Sequence, residues 1–531
     1  MIRSCFQDVP IPQLSHQNNF ENYRLYLYAE GRIVEKVRHL RLTGIPVLFI
    51  PGNGGSYKQG LDLKAPFLFN FFTLDLNEEF SAVFGGVLND QTKFAQESIR
   101  TILSLYPNYR KPVSMILVGH SMGGIIAKGL MLDENFDSSA VKVILTLASP
   151  HTPIVLFDEY LAAYYRKINL HWHKNTKNVT LISVGGGNRD LHVRGALTRE
   201  SSADVDVLVT NVPGVWKSTD HLCILWCKSL IKVINRAFFD LVDTTTLQVS
   251  QDDELRADVF RYHFQHRSDG KRYSMNLHLP SMKFDVQAQW IEITNSSFHH
   301  LEEDGISKTT YLIIPIATLL QNPQNDVVSV DVENLKAVDW IFVCQLNENR
   351  DGKYCLYGEN LSGHAKIMPS LTQKRKQIHI HLQDINTDAF SHIALKMLPE
   401  KDPVSIIVDT YQSHQRIVST QMPSFFSLRE TLIFSTEPGA LTYTVEITNL
   451  ESEIQAGYLL VEHLKCKKQK HYAILQTHIP WSQESTHTFS RYPKIDCFPQ
   501  KIHFHFLKLV AVIFFSILFF SFYYVSCPVN T

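Results

Sequence analysis

The features that would place a chain in a special structural class are largely missing from this sequence. Basic and acidic residues nearly cancel, 51 against 52, so neither a nucleic acid nor an acidic surface is indicated as a partner. No internal repeat and no long low-complexity tract is present, which argues against a repeat protein or a disordered chain. The remaining composition is that of a globular protein, 44% hydrophobic in 531 residues, enough for two or three domains.

Paired-cysteine motifs are also missing, because none of the eight cysteines forms C-x-x-C. Cys223 and Cys227 lie four residues apart in an apolar helical pattern, which favours core positions over metal ligation. Cys344 and Cys355 flank a short polar loop and could close a disulfide in an oxidising compartment. Three N-x-[ST] sequons are weak evidence that the chain enters the secretory pathway. These begin at Asn178, Asn295 and Asn360.

The two ends of the sequence differ in hydrophobicity. The first residues contain no apolar stretch, so no signal peptide is predicted. Residues 509–525, in contrast, carry no charged side chain. A helix of that length spans roughly 25 Å, just enough for a thin bilayer. We therefore expect a C-terminal transmembrane helix at residues 506–526, with a buried hydrophobic helix as the alternative.

One short motif combines a strand, a sharp turn and a helix. Residues 119–123 read Gly-His-Ser-Met-Gly, with an apolar run of strand length before them at 114–118. The run that follows, 125–132, is predicted to be a helix that is apolar on both sides. This is the context of a G-x-S-x-G nucleophile elbow, which presents the serine hydroxyl at the top of a sheet. The motif predicts Ser121 as a nucleophile, and the alternative is a turn without chemistry.

The order of predicted elements divides the chain. Up to about residue 245 apolar strands alternate with helices, which predicts an α/β fold with a doubly wound parallel sheet, here an α/β-hydrolase domain at residues 20–245. From residue 250 to residue 500 short runs alternate with a period of two and are separated by turn signals. This second region is predicted to be all-β and sandwich-like, without a catalytic constellation.

A glycine-rich loop follows one of the predicted strands. The apolar strand 45–50 leads into residues 51–57, Pro-Gly-Asn-Gly-Gly-Ser-Tyr. α/β-Hydrolases place the second donor of the oxyanion hole in such a loop. The predicted donors are the backbone N–H groups of Met122 and Asn53. A phosphate-cradling loop is a weaker alternative, because no Gly-Lys-[Ser/Thr] follows.

A serine nucleophile needs a base, and the base needs a carboxylate that fixes its tautomer. In α/β-hydrolases the chain order is serine, acid, histidine, each after a strand. Asp190 follows the predicted strand 180–184, and His221 follows the predicted strand 204–210, so both fit that order. Three rivals remain less favoured: His120 points elsewhere in the elbow, His151 is expected to line the pocket, and Asp220 is expected to cap the following helix.

Four segments in the right order resemble the GPI inositol-deacylases. They are residues 46–59, 119–124, 186–190, and 218–221 with 226–228. The resemblance implies an endoplasmic-reticulum membrane protein with a lumenal catalytic domain. It also implies hydrolysis of the acyl ester on the inositol of GPI-anchored proteins, which favours their transport to the Golgi. The elbow serine of the family is the nucleophile, a role that carries over to Ser121, and no metal or cofactor is implied.

Taken together, the motifs predict a membrane-anchored serine esterase, and the resemblance implies that its substrates are GPI-anchored proteins. A rival of the same class is a general membrane lipase or carboxylesterase that acts on other acyl lipids. A rival of a different class is a non-catalytic membrane protein that binds GPI or cargo through its β region. Labelling by a serine-reactive fluorophosphonate separates the enzymes from the binding protein.

Overall fold

The structure, a computed structural model, consists of two compact units. It describes residues 6–10, 20–30, 34, 39–62, 69–107, 112–152, 158–175, 178–187, 189–268, 270, 273, 282–320, 325–349, 352–368, 374–421, 429–435, 443–448, 456–462, 471–479, 482–492 and 501–507. The first unit comprises Met1–His266 with Gln476–His487, and the second comprises Arg267–Leu475 with Thr488–Thr531.

A largely parallel sheet forms the centre of the first unit. The strands are β1 Phe6–Pro10, β2 Arg24–Glu30, β3 Ile45–Ile50, β4 Phe69–Asp75, β5 Met115–His120, β6 Val141–Leu147, β7 Thr180–Gly185 and β8 Val205–Leu208, with a short pair, β9 Val242–Asp243 and β10 Gln248–Val249. The eight-stranded order is β1-β2-β4-β3-β5-β6-β7-β8. β2 runs antiparallel to β1 and β4, and the other neighbouring pairs are parallel.

The strands around the elbow are buried along their whole length. Every residue of β3, β5, β6 and β7 is buried. Parallel strands covered on both faces read as continuous apolar runs, which is the pattern that the sequence has at these positions. Because parallel strands end at one edge, the loops after β3, β5, β7 and β8 meet there. The predicted α/β-hydrolase-like architecture is confirmed.

Helices cover the faces of this sheet. They are α1 Leu88–Ser104, α2 Met122–Gly129, α3 Glu159–Asn175, α4 Lys228–Asp240 and α5 Asp253–Phe264. Short 3₁₀ turns occur at Tyr57–Asp62, Gly85–Val87, Leu130–Leu132, Ser138–Ala140, Gly195–Thr198 and Cys223–Leu225. All eight residues of α2 are buried, as expected of a helix with apolar residues on both sides. α5 lies beyond residue 245, and its buried Arg256 donates to Thr180 Oγ1 and to the carbonyl oxygen of Asn178.

The second unit contains two sheets that share one core. Its elements are β11 Met282–Lys283, β12 Gln289–Glu292, β13 Phe298–Glu302, β14 Thr310–Pro315, α6 Ile316–Leu319, β15 Val327–Glu333, β16 Ile341–Asn349, β17 Gly352–Asn360, β18 Lys366–Met368, β19 Arg375–His381, β20 His392–Met397 and β21 Val404–Tyr411. One sheet has the order β11-β17-β16-β20-β14-β12 and the other β13-β21-β15-β19-β18. Inward-facing residues of both sheets form a single apolar cluster around the buried Trp340. This is the predicted sandwich-like β region.

A disulfide joins Cys344 on β16 to Cys355 on β17. Further strands follow at β22 Ile417–Gln421, β23 Arg429–Ser435, β24 Thr444–Thr448, β25 Ala456–Glu462, β26 His471–Ile479, β27 Ser482–Tyr492 and β28 Lys501–Leu507. Among the described residues, no helix is long and apolar enough to cross a membrane. The transmembrane helix predicted at 506–526 overlaps the end of β28 by two residues, and the rest of it lies outside the described residues.

Candidate active site

Ser121 sits on a strained turn between β5 and α2. Its backbone has φ 53° and ψ −125°, a conformation that residues other than glycine rarely adopt. The turn is held by the Ser121 N–H, which donates to Leu147 O at 2.9 Å, and by Gly124 N–H, which donates to Ser121 O at 3.1 Å. The residue therefore has the strand–turn–helix setting and the strain of a nucleophile elbow.

Glycines allow the elbow to pack against the loop after β3. A Cβ on Gly123 would lie 2.0 Å from Ile50 O, and one on Gly52 would lie 2.5 Å from Ser121 Cβ and 3.2 Å from Ser121 Oγ. Real Cβ atoms do not tolerate such distances, so only glycine fits at these two positions. The close approach brings the backbone of the glycine-rich loop next to the serine hydroxyl.

Asp190 and His221 form a hydrogen-bonded pair. His221 Nδ1 lies 3.0 Å from Asp190 Oδ2, and the Asp190 side chain is fully buried. The other carboxylate oxygen, Oδ1, accepts from the N–H groups of His192 at 3.1 Å and Val193 at 2.8 Å. A carboxylate acceptor keeps the proton on Nδ1 and leaves Nε2 as the basic nitrogen of His221.

His120 connects the nucleophile turn to the loop that carries His221. Its Nε2 lies 2.8 Å from the carbonyl oxygen of His221, and the two rings are 4.8 Å apart. A carbonyl oxygen only accepts, so the proton of His120 is on Nε2. Burial and the neighbouring His221 lower the pKa of His120 to about 3, which keeps this ring neutral. The ring of His192 lies 5.3 Å from that of His221.

The two predicted oxyanion donors both have available N–H groups. Met122 is the first residue of α2, where backbone N–H groups have no intrahelical acceptor. In the glycine-rich loop, Gly54 N–H donates to Glu79 O at 2.9 Å and Gly55 N–H donates to Gly52 O at 3.0 Å. The Asn53 N–H has no acceptor among the described residues, while its side-chain Oδ1 accepts from Ala82 N–H at 2.9 Å.

Exposed apolar side chains lie next to residues of the site, either in the sequence or in space. Leu191 is 75% exposed and comes after Asp190, and Leu222 is 53% exposed and comes after His221. Phe80 is 64% exposed, and its ring lies 3.4 Å from where a Cβ of Gly54 would be. Large apolar groups exposed around a polar site suit a substrate with a hydrocarbon part.

The rival residues have other positions. Asp220 Oδ1 accepts from the N–H groups of Leu222 and Cys223, so this carboxylate caps the turn Cys223–Leu225. His151 was expected to line the pocket at the serine. It instead contacts Thr146 and Glu200 in a different cavity, to which Ser121, Asp190 and His221 do not contribute.

The buried ion pair between Lys128 and Glu200 in that cavity was missed by the reasoning from sequence. The one available signal was a single lysine in the otherwise apolar run 125–132.

Comparison with known proteins agrees with this architecture. Residues 41–241 match the family described as PGAP1-like alpha/beta domain, and residues 414–506 match the GPI inositol-deacylase beta-sandwich domain. A solved acylaminoacyl peptidase from Pyrococcus horikoshii aligns with a TM-score of 0.29 and 11% identity over 44% of this chain and 41% of that chain. Similarity at that level supports no statement about activity.

Two curated relatives cover most of the chain. The GPI inositol-deacylase of Rattus norvegicus is 33% identical over 94% of this chain and 55% of its own length. That of Xenopus laevis is 32% identical over 87% of this chain and 51% of its own length. The chain thus spans about half the length of the curated relatives that it matches. In both matched domains and in these relatives, the chain is similar to the GPI inositol-deacylase family over most of its length.

Proposed function

We propose that this chain is a serine esterase that removes the acyl chain from the inositol of GPI-anchored proteins. The observation that carries the esterase proposal is the 3.0 Å contact between His221 Nδ1 and Asp190 Oδ2, at the sheet edge where Ser121 occupies the elbow. The substrate is proposed from the name that the relatives share. The exposed Leu191, Leu222 and Phe80 support it, because an acyl chain needs an apolar surface beside the reacting ester.

In the proposed reaction Ser121 Oγ attacks the carbonyl carbon of the acyl ester. His221 Nε2 takes the hydroxyl proton, and Asp190 holds the ring and stabilises the imidazolium that forms. The C–O bond to inositol then breaks, and the inositol oxygen leaves with the proton from His221. A water molecule, deprotonated by His221, attacks the acyl-enzyme, and the fatty acid is released while Ser121 regains its proton.

The backbone N–H groups of Met122 and Asn53 are proposed to donate hydrogen bonds to the carbonyl oxygen and to stabilise the negative charge that develops on it. One comes from the start of α2, whose dipole also favours a negative charge. The other comes from the loop that Gly52 brings against Ser121. Loss of one such donor costs roughly 10²–10³ in rate.

His120 is proposed as a positioning residue for the base. Its Nε2–H donates to the carbonyl oxygen of His221, and His120 directly precedes Ser121 in the chain. The bond therefore fixes the backbone of the base relative to that of the nucleophile. Because the ring is buried and neutral, it adds no positive charge that would oppose protonation of His221.

The cellular setting of the proposal is the endoplasmic reticulum membrane, with the catalytic domain in the lumen. Deacylation there would aid transport of GPI-anchored proteins to the Golgi. The disulfide between Cys344 and Cys355 supports an oxidising compartment. The predicted membrane helix, apart from residues 506 and 507 of β28, is part of the same proposal.

A direct test uses the purified chain and its Ser121→Ala variant with three substrates: an acylated GPI-anchored protein, a phospholipid and a neutral ester. We expect the wild-type chain to react with a fluorophosphonate and to release fatty acid from the GPI-anchored protein fastest. Ser121→Ala should do neither. Faster hydrolysis of the other two lipids would favour a general lipase, and an unlabelled wild-type chain would favour a binding protein.

A further inference from the structure

The first unit contains a polar cavity outside the proposed catalytic site. Its volume is about 410 Å³, within the range of small-ligand sites. It is lined by Lys128 of α2, His151, Asn169 and Trp172 of α3, and residues 199–202. Lys128 lies seven residues after Ser121, which is roughly 10 Å along the axis of α2. The cavity is therefore distinct from the position of the nucleophile.

A buried ion pair lies in one wall of the cavity. Lys128 Nζ bonds to Glu200 Oε2 and lies 4.8 Å from the centre of the Trp172 ring. Burial lowers the pKa of Lys128, but the charge of Glu200 opposes that effect. Glu200 Oε1 accepts from Ser202 N–H at 3.1 Å and from the Ser202 hydroxyl. Both oxygens of Glu200 are thus engaged, and its negative charge is balanced by Lys128.

Hydrogen-bond donors in the cavity remain unused. Arg199 is exposed and donates no hydrogen bond to any residue that the structure describes. The same holds for the side chains of Asn169, Ser201 and Thr152. Lys128 is balanced by Glu200, so Arg199 is the remaining cation of the lining; the carboxylate near it, Asp206, does not line the cavity, and burial raises the pKa of Asp206 to about 7. The free groups and the charge together favour a ligand rich in acceptor oxygens and negatively charged.

One buried histidine nitrogen in the lining has no hydrogen-bond partner. The His151 side chain is 1% exposed, and its Nδ1 has no hydrogen-bond partner although Glu200 Oε2 is 3.4 Å away. Thr146 Oγ1 donates to Ile182 O, so His151 Nε2 must donate to Thr146 Oγ1. This tautomer turns a bare Nδ1 toward a carboxylate oxygen, an arrangement of two acceptors that lacks a proton.

A bound anion would favour a proton on His151 Nδ1, the group that is missing between this nitrogen and Glu200. Burial and the charge of Lys128 lower the pKa of His151 to about 3, so the ring is neutral. A negative group beside Lys128 offsets that cation and favours protonation of His151. The added proton would bond to Glu200, and the charged ring would attract the anion in turn. Binding and proton uptake therefore support each other.

From this arrangement we infer that the cavity binds the phosphate group of a small phosphate ester. The planar guanidinium of Arg199 suits two phosphate oxygens, and the Ser201 hydroxyl can donate to a third. The volume of about 410 Å³ leaves room beside the phosphate for a small polar organic part of the ligand. The phosphate belongs either to the substrate of the proposed deacylation, in which case the site rests on that proposed function, or to a free metabolite.

Binding is measured by titration calorimetry on the full chain carrying Ser121→Ala, so that no turnover interferes. The probes are inorganic phosphate and glycerol 3-phosphate, with sodium chloride at matched ionic strength as the blank. We expect both probes to bind, and Arg199→Gln to weaken binding roughly tenfold or more, because a charge-assisted pair is lost. Ser201→Ala should weaken it by a smaller factor. Arg166→Gln, an exposed arginine of α3 that does not line the cavity, is the matched control and should bind as the parent does.

Absence of binding to the parent chain would overturn the inference, and so would equal affinity in Arg199→Gln and Arg166→Gln. The source of the phosphate follows from the kinetics of the otherwise wild-type chain on an acylated GPI-anchored protein. A raised KM with unchanged kcat in Arg199→Gln assigns the site to the substrate, and an unchanged KM assigns it to a free phosphate ester. Because binding is measured without catalysis, failure of the deacylase proposal would leave the calorimetric result intact.

Discussion

At the scale of single residues, two carboxylates near His221 have different tasks. Asp190 is buried and bonds to the ring, whereas Asp220 caps the turn Cys223–Leu225 through its Oδ1. We predict that Asp190→Asn lowers kcat/KM by roughly 10³–10⁴, because an amide no longer holds the required tautomer. Asp220→Asn, the matched control, should stay within about tenfold of wild type, since an asparagine oxygen can still accept from the turn. Steady-state hydrolysis of an acyl ester measures both, and a larger loss in Asp220→Asn would transfer the acid role to that residue.

His120 allows a second prediction at this scale. His120→Phe keeps a ring in place but removes the donor to His221 O, so kcat should fall by roughly tenfold while KM changes little. The acidic limb of the pH–rate profile should keep its position, because the pKa of His120 is already lowered to about 3 and no charge is lost. His120→Gln, which can still donate, should recover part of the loss. A displaced acidic limb would mean that His120 itself titrates during catalysis.

At the scale of elements, the close contact between the loop after β3 and the elbow determines the geometry of the site. A Cβ at Gly52 would meet Ser121 Cβ at 2.5 Å and His120 O at 2.8 Å. We predict that Gly52→Ala lowers activity at least 10²-fold, because the loop must retreat and take the Asn53 donor with it. In Gly86→Ala the three atoms nearest to the new Cβ all belong to the ring of the exposed Phe84, which can rotate away, so this control should remain active. Equal activity of the two variants, at equal melting temperature, would show that the loop does not contribute to the oxyanion site.

The bounds of an element could be predicted from sequence where a local apolar pattern defines that element. The strand Ile45–Ile50 has the predicted bounds, because it is a continuous apolar run ended by a turn. Position in the loop after a predicted strand selected His221 from 24 histidines, and its Nδ1 lies 3.0 Å from Asp190 Oδ2 in the structure. The catalytic roles of both residues stay a prediction.

Contacts between distant parts of the chain could not be predicted in this way. Lys128 and Glu200 are 72 residues apart in the chain, and neither lies in a recognisable motif. Their pairing depends on how the segment after β7 packs against α2, which no local pattern encodes. The partner of His120 is likewise 101 residues away. The cavity and the positioning residue therefore became visible only in the folded chain.

At the scale of the whole molecule, the sequons give a test of the compartment. Asn360 is 5% exposed and its amide nitrogen donates to Asp339 Oδ1 at 2.6 Å, whereas Asn295 is exposed. A lumenal chain should therefore carry a glycan at Asn295 and none at Asn360 in the folded state. The test is the change in gel mobility when the glycan is removed by an endoglycosidase. Asn295→Gln should lose the change that is due to the Asn295 glycan, whereas Asn360→Gln should behave as the wild-type chain does. A chain from cells with no glycan at any sequon would contradict the lumenal assignment.

The central claim is that Ser121 in this chain deacylates the inositol of GPI-anchored proteins. Inositol acylation blocks cleavage by phosphatidylinositol-specific phospholipase C, so the sensitivity of surface GPI-anchored proteins to that enzyme reports deacylation. The measurement compares deacylase-null cells that express the wild-type chain with cells that express Ser121→Ala at the same level. We predict that the wild-type chain restores release of GPI-anchored proteins and that Ser121→Ala does not. Equal release with both chains, or no release with the wild type, would contradict the account.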